Sequence, residues 1–156
     1  LGKKIEVGTT EKIDMSDKVE LGNYELKKNT DGGIVLDERD DFHPQAARLW
    51  RQWINEDVSL LTSNYVVVES TAVGQRHLGF DAVPAIYHRM LPSVHVVWIT
   101  ELMHQQAVDL LIATRRRQLS LVDCTSFEMM RELGLRNVFT FDHHFAEQGF
   151  ICFPPQ

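Results

Sequence analysis

The sequence has few cysteines: Cys124 and Cys152 are the only two among its 156 residues. Two thiols cannot form the disulfide framework that stabilises many small secreted domains, and their spacing matches no metal-binding motif. Cys124 also lies beside the apolar start of a predicted helix. We therefore predict that both cysteines are reduced thiols and that the protein is cytoplasmic.

The sequence also lacks a long apolar run and an excess of positive charge. No segment approaches the roughly 18 consecutive apolar residues that a membrane-spanning helix needs, so we expect no membrane contact. Lysine and arginine number 16 and aspartate and glutamate 22, which gives a formal net charge of −6. This balance argues against nucleic-acid binding through bulk charge, but a carboxylate cluster counts as negative until a cation fills it.

Residues 1–33 differ in composition from the rest of the chain, because they are rich in Lys, Glu, Asp, Thr and Gly. Alternating pieces such as residues 18–21 and 24–27 predict exposed or edge strands rather than a central parallel strand. Disorder of part of this segment is the competing interpretation. We therefore divide the chain into an atypical amino-terminal segment, residues 1–33, and one domain, residues 34–156.

From residue 43 onward, helical and strand patterns alternate. Pro44 suits the first turn of a helix, residues 94–99 form the clearest strand, and residues 138–141 and 150–153 predict two further strands. Strands separated by helices of ten or more residues predict an α/β fold with a mostly parallel sheet. In such sheets, ligands bind at the carboxyl ends of the strands.

Three acidic residues lie beside segments that have the composition of a core. Asp142 ends an apolar strand, Asp123 completes a Ser120-x-x-Asp123 capping signature at a helix start, and Glu69 follows the apolar residues 65–68. Taken singly, each has an ordinary interpretation: a turn, a helix cap and a partly exposed helix residue. Together they suggest a site for a divalent cation, which would neutralise buried acids that are otherwise costly.

Three segments, in this order and spacing, resemble the PIN-domain family, and most closely its VapC-type toxins of toxin–antitoxin pairs. They are TSNYVVVE (residues 62–69), LSLVDCTSF (residues 119–127) and FTFDHHF (residues 139–145). The resemblance implies a three-layer α/β/α fold and an endoribonuclease that uses Mg²⁺ or Mn²⁺. It implies that Glu69, Asp123 and Asp142 are catalytic metal ligands. It also implies an RNA substrate, a small antitoxin partner and a homodimer.

The family's first acid, which follows a buried first strand, has no clear counterpart here. Asp31, beside two glycines, is our candidate for a fourth metal ligand. Asp37, after the apolar residues 34–36, is the alternative, and loss of the position is a third. If it is lost, the chain is a catalytically degenerate PIN-like domain that binds RNA or protein without cleaving. A truncated or misassigned start, in which residues 1–33 replace the true first strand, is a further interpretation.

Other residues have two interpretations each. His143 and His144 form either an exposed pair near the site, which we prefer, or transition-metal ligands. Residues 115–117, three arginines, either contact RNA phosphates or form a solvated helix end. The apolar face that includes Trp50 and Trp53 belongs to the core, or it receives an antitoxin helix or a second copy of the chain.

Overall fold

The computed structural model describes residues 18–21 and 42–154. In this part of the chain, the strands are β1 (Lys18–Leu21), β2 (Ser59–Ser63), β3 (Val94–Val97), β4 (Asn137–Phe139) and β5 (Ile151–Phe153). They form one sheet in the order β3-β2-β1-β4-β5. All neighbouring strands are parallel, as the alternation of helix and strand patterns predicted.

Six α-helices connect and cover the described strands. They are α1 (His43–Asn55), α2 (Asn64–Leu78), α3 (Ala82–Ala85), α4 (Glu101–Thr114), α5 (Leu121–Glu132) and α6 (His143–Glu147). A π-helical turn (Ile86–Met90) and a 3-10 turn (Leu91–Ser93) continue α3. Across the described ranges, no helix combines the length and the apolar composition needed to cross a membrane.

The helices pack on both faces of the sheet. Neighbouring residues in a strand belong to different cores. Leu61 of β2 and Val138 of β4 pack in the cluster with α4 and α5, whereas their neighbours Leu60 and Phe139 pack with α1. This alternation follows from the period-two geometry of a strand. The predicted three-layer α/β/α arrangement is therefore confirmed.

The position of β1 corrects one prediction from the sequence. Residues 18–21 were expected to form an exposed or edge strand, but β1 lies in the centre of the sheet and pairs with both β2 and β4. The alternation of polar and apolar residues predicts the polarity of the two faces of a strand. It does not determine which neighbours bond to the backbone. The boundary after residue 33 stays a prediction, although this strand from the amino-terminal segment belongs to the sheet.

The apolar face of α1 is part of the core. Trp53 is buried and packs edge-on against Phe139, with 5.3 Å between the ring centroids, and also contacts the ring of Phe153. Leu49 and Trp50 are partly buried against the same cluster. Because this face is used within the chain, it is not a free docking surface for an antitoxin helix.

Candidate metal centre

Asp142 lies where the sheet ends and a short helix begins. It follows β4 and occupies the N-cap position of α6, and the whole residue is 2% exposed. Its Oδ1 accepts hydrogen bonds from the backbone N–H of His144 at 2.8 Å and from the Nδ1 of His144 at 2.7 Å. Its own N–H donates to Oγ1 of the buried Thr140 at 3.0 Å. The backbone and one carboxylate oxygen of Asp142 are therefore fixed.

Asp123 lies in the first turn of α5 and is 5% exposed. Its Oδ2 accepts hydrogen bonds from the backbone N–H of Ser120 at 2.7 Å and from the hydroxyl of Ser120 at 2.8 Å. The Oγ of Ser120 accepts in return from the N–H of Asp123, which completes the predicted capping box. The capping interpretation of Asp123 is thus confirmed. The same hydrogen bonds start the helix and orient the carboxylate.

Glu69 lies on α2, and its side chain is half-buried. The three valines at 66–68 have a high strand propensity, but this segment is helical. The helix forms because Ser63 caps it, with Oγ accepting from the N–H of Val66 at 3.2 Å, and because Val66 and Val67 are buried on one side. α2 begins directly after β2, so it starts at the carboxyl edge of the sheet.

The connection between α4 and α5 contacts α6. Arg116, in this connection, forms a hydrogen-bonded ion pair with Glu147 of α6. The pKa of Arg116 is raised, first by its bond to Glu147 and to a smaller extent by the negative charge of Asp142. The start of α5, which carries Asp123, is therefore held near the helix that carries Asp142.

The three predicted acids do not form one compact group. Among the described residues, three candidate ligand atoms lie within 4.8 Å of one another only in the group Asp142, His143 and His144. Glu69 and Asp123 are not in that group. Asp31 and Asp37, the candidates for the first acid, lie outside the described residues, so their assignment stays a prediction.

The two histidines after Asp142 differ from each other, which partly corrects the sequence interpretation of an exposed pair. The side chain of His143 is 62% exposed, whereas that of His144 is 3% exposed. The difference depends on how α6 packs on the core, where the fully buried Phe145 follows His144. A contact of His144 with Asp142 was not anticipated.

Ser126 was also not singled out from the sequence. It lies three residues after Asp123, on the same side of α5, and it is fully buried. Its Oγ has no hydrogen-bond partner among the described residues. Since buried hydroxyls are normally paired, this orphaned oxygen is consistent with a bound water or hydrated ion beside Asp123.

Comparisons of sequence and of structure with known proteins agree on one family. The PIN domain profile matches residues 34–151. The 23S rRNA-specific endonuclease VapC20 of Mycobacterium tuberculosis, from two strains, is 34% identical over 115 residues, which cover 73% of this chain and 86% of the relative. The crystal structure of M. tuberculosis VapC20, a sarcin–ricin loop-cleaving toxin, matches with a TM-score of 0.65 and 31% identity. That match covers 76% of this chain and 89% of VapC20.

Proposed function

This chain belongs to the PIN-domain family, and we propose that it is a metal-dependent endoribonuclease, the toxin of a toxin–antitoxin pair. One observation supports the activity above the others. Two buried carboxylates, Asp123 and Asp142, are held in the first turn of α5 and at the N-cap of α6, and the connection that precedes α5 contacts the end of α6 through Arg116 and Glu147. Burial of a charged carboxylate costs free energy of folding, so two buried acids at helix starts indicate a role in binding a cation rather than in stabilising the fold.

The donor set fits Mg²⁺ or Mn²⁺. Both are hard cations that take oxygen ligands, and Mg²⁺ keeps several of its own waters, so acids that are not in one compact group can still bind it. Glu69, Asp123 and Asp142 would hold the ion, with Asp31 as the proposed fourth ligand. The orphaned hydroxyl of Ser126 fits a hydrated ion on this side of α5. A bound ion would supply Lewis acidity and an activated water for attack on a phosphodiester.

We propose that the substrate is RNA and that ribosomal RNA is the class to test first, because the VapC20 relative is a 23S rRNA-specific endonuclease. The arginines at 115–117 are exposed in the connection that contacts α6. Positive side chains at this place would hold the RNA backbone beside the acids, despite the negative net charge of the chain.

The proposed partners are a small antitoxin protein and a second copy of this chain, in the cytoplasm. Large exposed apolar side chains support an interaction surface, because they are costly to leave in water. Trp98 is 75% exposed after β3, and Leu102, in the first turn of α4, is also exposed. We propose that these two side chains belong to the homodimer interface.

A catalytically degenerate domain that binds RNA or protein without cleaving is the second candidate. The observation that favours it is that no acid directly follows β1, because Leu21 is followed by glycine, asparagine and tyrosine. Tight RNA binding that does not require metal, together with no hydrolysis, would select this candidate.

A cleavage assay with matched variants tests the proposed nuclease. Ribosomal RNA is incubated with purified protein and Mn²⁺, and the initial rates of wild type, Asp123→Asn and Asp142→Asn are compared. The cleavage rate of each variant should fall by more than ~100-fold, which is the upper limit for residues that only support metal ligands. Cleavage that persists at the wild-type rate in both variants would show that the active site lies elsewhere.

Asp81→Asn is the control variant. Asp81 is exposed before α3 and its side chain makes no capping hydrogen bond, so the same change of charge is made away from the proposed site. Its rate should equal that of wild type. A comparable loss in Asp81→Asn would attribute the effect to net charge rather than to metal ligation.

A further inference from the structure

We propose that His144 is a positioning residue for Asp142, which fixes this carboxylate so that its other oxygen is presented to the metal. The inference rests on the proposed function, and it assigns a role to a residue outside the acidic set. His144 is two residues after Asp142 in the chain and is almost fully buried with it. The two side chains form a buried hydrogen bond of 2.7 Å.

The geometry explains why His144 acts through Asp142. With Nδ1 protonated, the imidazole donates to Oδ1, and the backbone N–H of His144 donates to the same oxygen at 2.8 Å. Among the described residues, the donors that contact this carboxylate all approach Oδ1. Oδ2 is thereby left as the oxygen for a ligand. Two donors from one residue also prevent rotation of the carboxylate about its Cβ–Cγ bond.

Burial makes this arrangement rigid. Phe145, next to His144, is fully buried and packs edge-on against Phe127, with ring centroids 4.8 Å apart, so α6 is anchored to α5. On the other side, Thr140 holds the backbone of Asp142. A carboxylate fixed in this way loses little entropy when it binds a cation, and such supporting hydrogen bonds commonly tune metal affinity.

The neighbouring His143 provides a contrast. Its Nδ1 lies 3.7 Å from Oδ1 of Asp142, too far for a hydrogen bond, and its side chain is largely exposed. The Nε2 of His143 is 3.6 Å from Glu147. Removal of this imidazole should therefore change the orientation of Asp142 little, although it removes the same chemical group one residue away.

The test is Mn²⁺ binding by calorimetry, without RNA, on wild type and a set of variants. His144→Ala should weaken Mn²⁺ binding by about 10- to 100-fold, the range reported for residues that support metal ligands. His144→Asn should restore binding to within a few-fold, because its amide nitrogen can occupy the place of Nδ1. His143→Ala should bind as wild type does.

His144→Gln gives a second comparison if the alanine variant does not fold. The glutamine amide extends to the place of Nε2 and misses Oδ1, so this variant should bind Mn²⁺ more weakly than His144→Asn. Equal affinity in His144→Asn and His144→Gln would overturn the proposal. Weak Mn²⁺ binding in both variants would also overturn it, because neither amide would then replace the imidazole, as expected if the imidazole is itself a metal ligand.

The design separates this inference from the proposed function. If Asp142→Asn loses Mn²⁺ binding but His144→Ala retains wild-type affinity, Asp142 is a ligand that needs no support, and the inference about His144 is wrong. If Asp142→Asn itself binds Mn²⁺ as wild type does, the proposed metal centre is wrong. RNA cleavage adds a further readout: His144→Ala should need more Mn²⁺ for half-maximal rate while its KM for RNA stays unchanged.

Discussion

The replacement Ser120→Ala tests whether the capping box of α5 serves the proposed site as well as the helix. The change removes the hydroxyl that accepts from the N–H of Asp123 at 3.1 Å and donates to its Oδ2 at 2.8 Å. The backbone N–H of Ser120 remains as a donor to Oδ2. Of the two hydrogen bonds from Ser120 to Oδ2, only the one from the backbone N–H then remains, so the carboxylate of Asp123 is held less firmly.

The magnitude can be estimated from these contacts. Loss of an N-cap hydroxyl costs about 1 kcal/mol of the free energy of unfolding. The lost hydrogen bond to a buried carboxylate adds about 1 kcal/mol or more. The total of about 2 kcal/mol corresponds to a decrease in Tm of about 4–8 °C for a chain of this size.

Thr100→Ala is the matched control. Thr100 caps α4 with the same kind of bond, in which its Oγ1 accepts from the N–H of Met103 at 3.2 Å, but Thr100 is exposed. Its removal should cost about 1 kcal/mol and leave Mn²⁺ affinity and RNA cleavage unchanged. Ser120→Ala should lower both. Thermal unfolding and calorimetry measure the two effects, and unchanged Mn²⁺ affinity in Ser120→Ala would refute the reasoning.

Three further predictions concern the core, a thiol and the surface. Phe139→Ala should lower the free energy of unfolding, measured in urea, by about 3–5 kcal/mol, because this ring is fully buried against Trp53. The control Phe80→Ala replaces a residue that is 71% exposed, so it should change the free energy of unfolding by less than about 0.5 kcal/mol. Burial raises the pKa of the Cys124 thiol to about 11 from 9.0, so its contribution to stability is complete below pH 9 and is lost as the pH rises towards 11. Cys124→Ala should remove this part of the pH dependence, and native Cys124 should resist iodoacetamide at pH 8; rapid alkylation would contradict its burial. Trp98→Ser should weaken a homodimer in sedimentation experiments more than Phe80→Ser does, and equal sedimentation of both variants and wild type would exclude Trp98 from the interface.

Much of the fold follows from the sequence because local signals and topology agree. Ser63, Thr100 and Ser120 each directly precede a helix and accept a capping hydrogen bond, as serine and threonine commonly do at this position. The strands β3 and β4 contain the first residues of the predicted runs 94–99 and 138–141, and each ends two residues before the predicted limit. The resemblance to the PIN-domain family is confirmed by the profile match and by the likeness to VapC20.

The sequence could not indicate two features that depend on distant pairing. The polar and apolar alternation of β1 describes its faces, but its central position comes from backbone pairing with β2 and β4. The difference between His143 and His144 likewise depends on how α6 packs on the core. A pair of adjacent histidines carries no sequence signal that one is buried against Asp142.

The site is only partly accessible to sequence reasoning. The burial of Asp123 and Asp142 agrees with their predicted role, and Glu69 lies on a helix and is partly buried. Their ligation of a metal stays a prediction, as does the choice between Asp31 and Asp37. Motif spacing predicts which acids lie near the carboxyl edge of the sheet, but the separation of their oxygens depends on side-chain rotation.

The dependence of RNA cleavage on metal tests the central claim most directly. Protein treated with EDTA and dialysed is given ribosomal RNA and increasing Mn²⁺, and the initial rate of cleavage is measured for wild type and Asp142→Asn. The account predicts no cleavage without Mn²⁺, a rate that rises and saturates in wild type, and little or no cleavage in the variant. Cleavage without metal, or equal rates in both proteins, would contradict it.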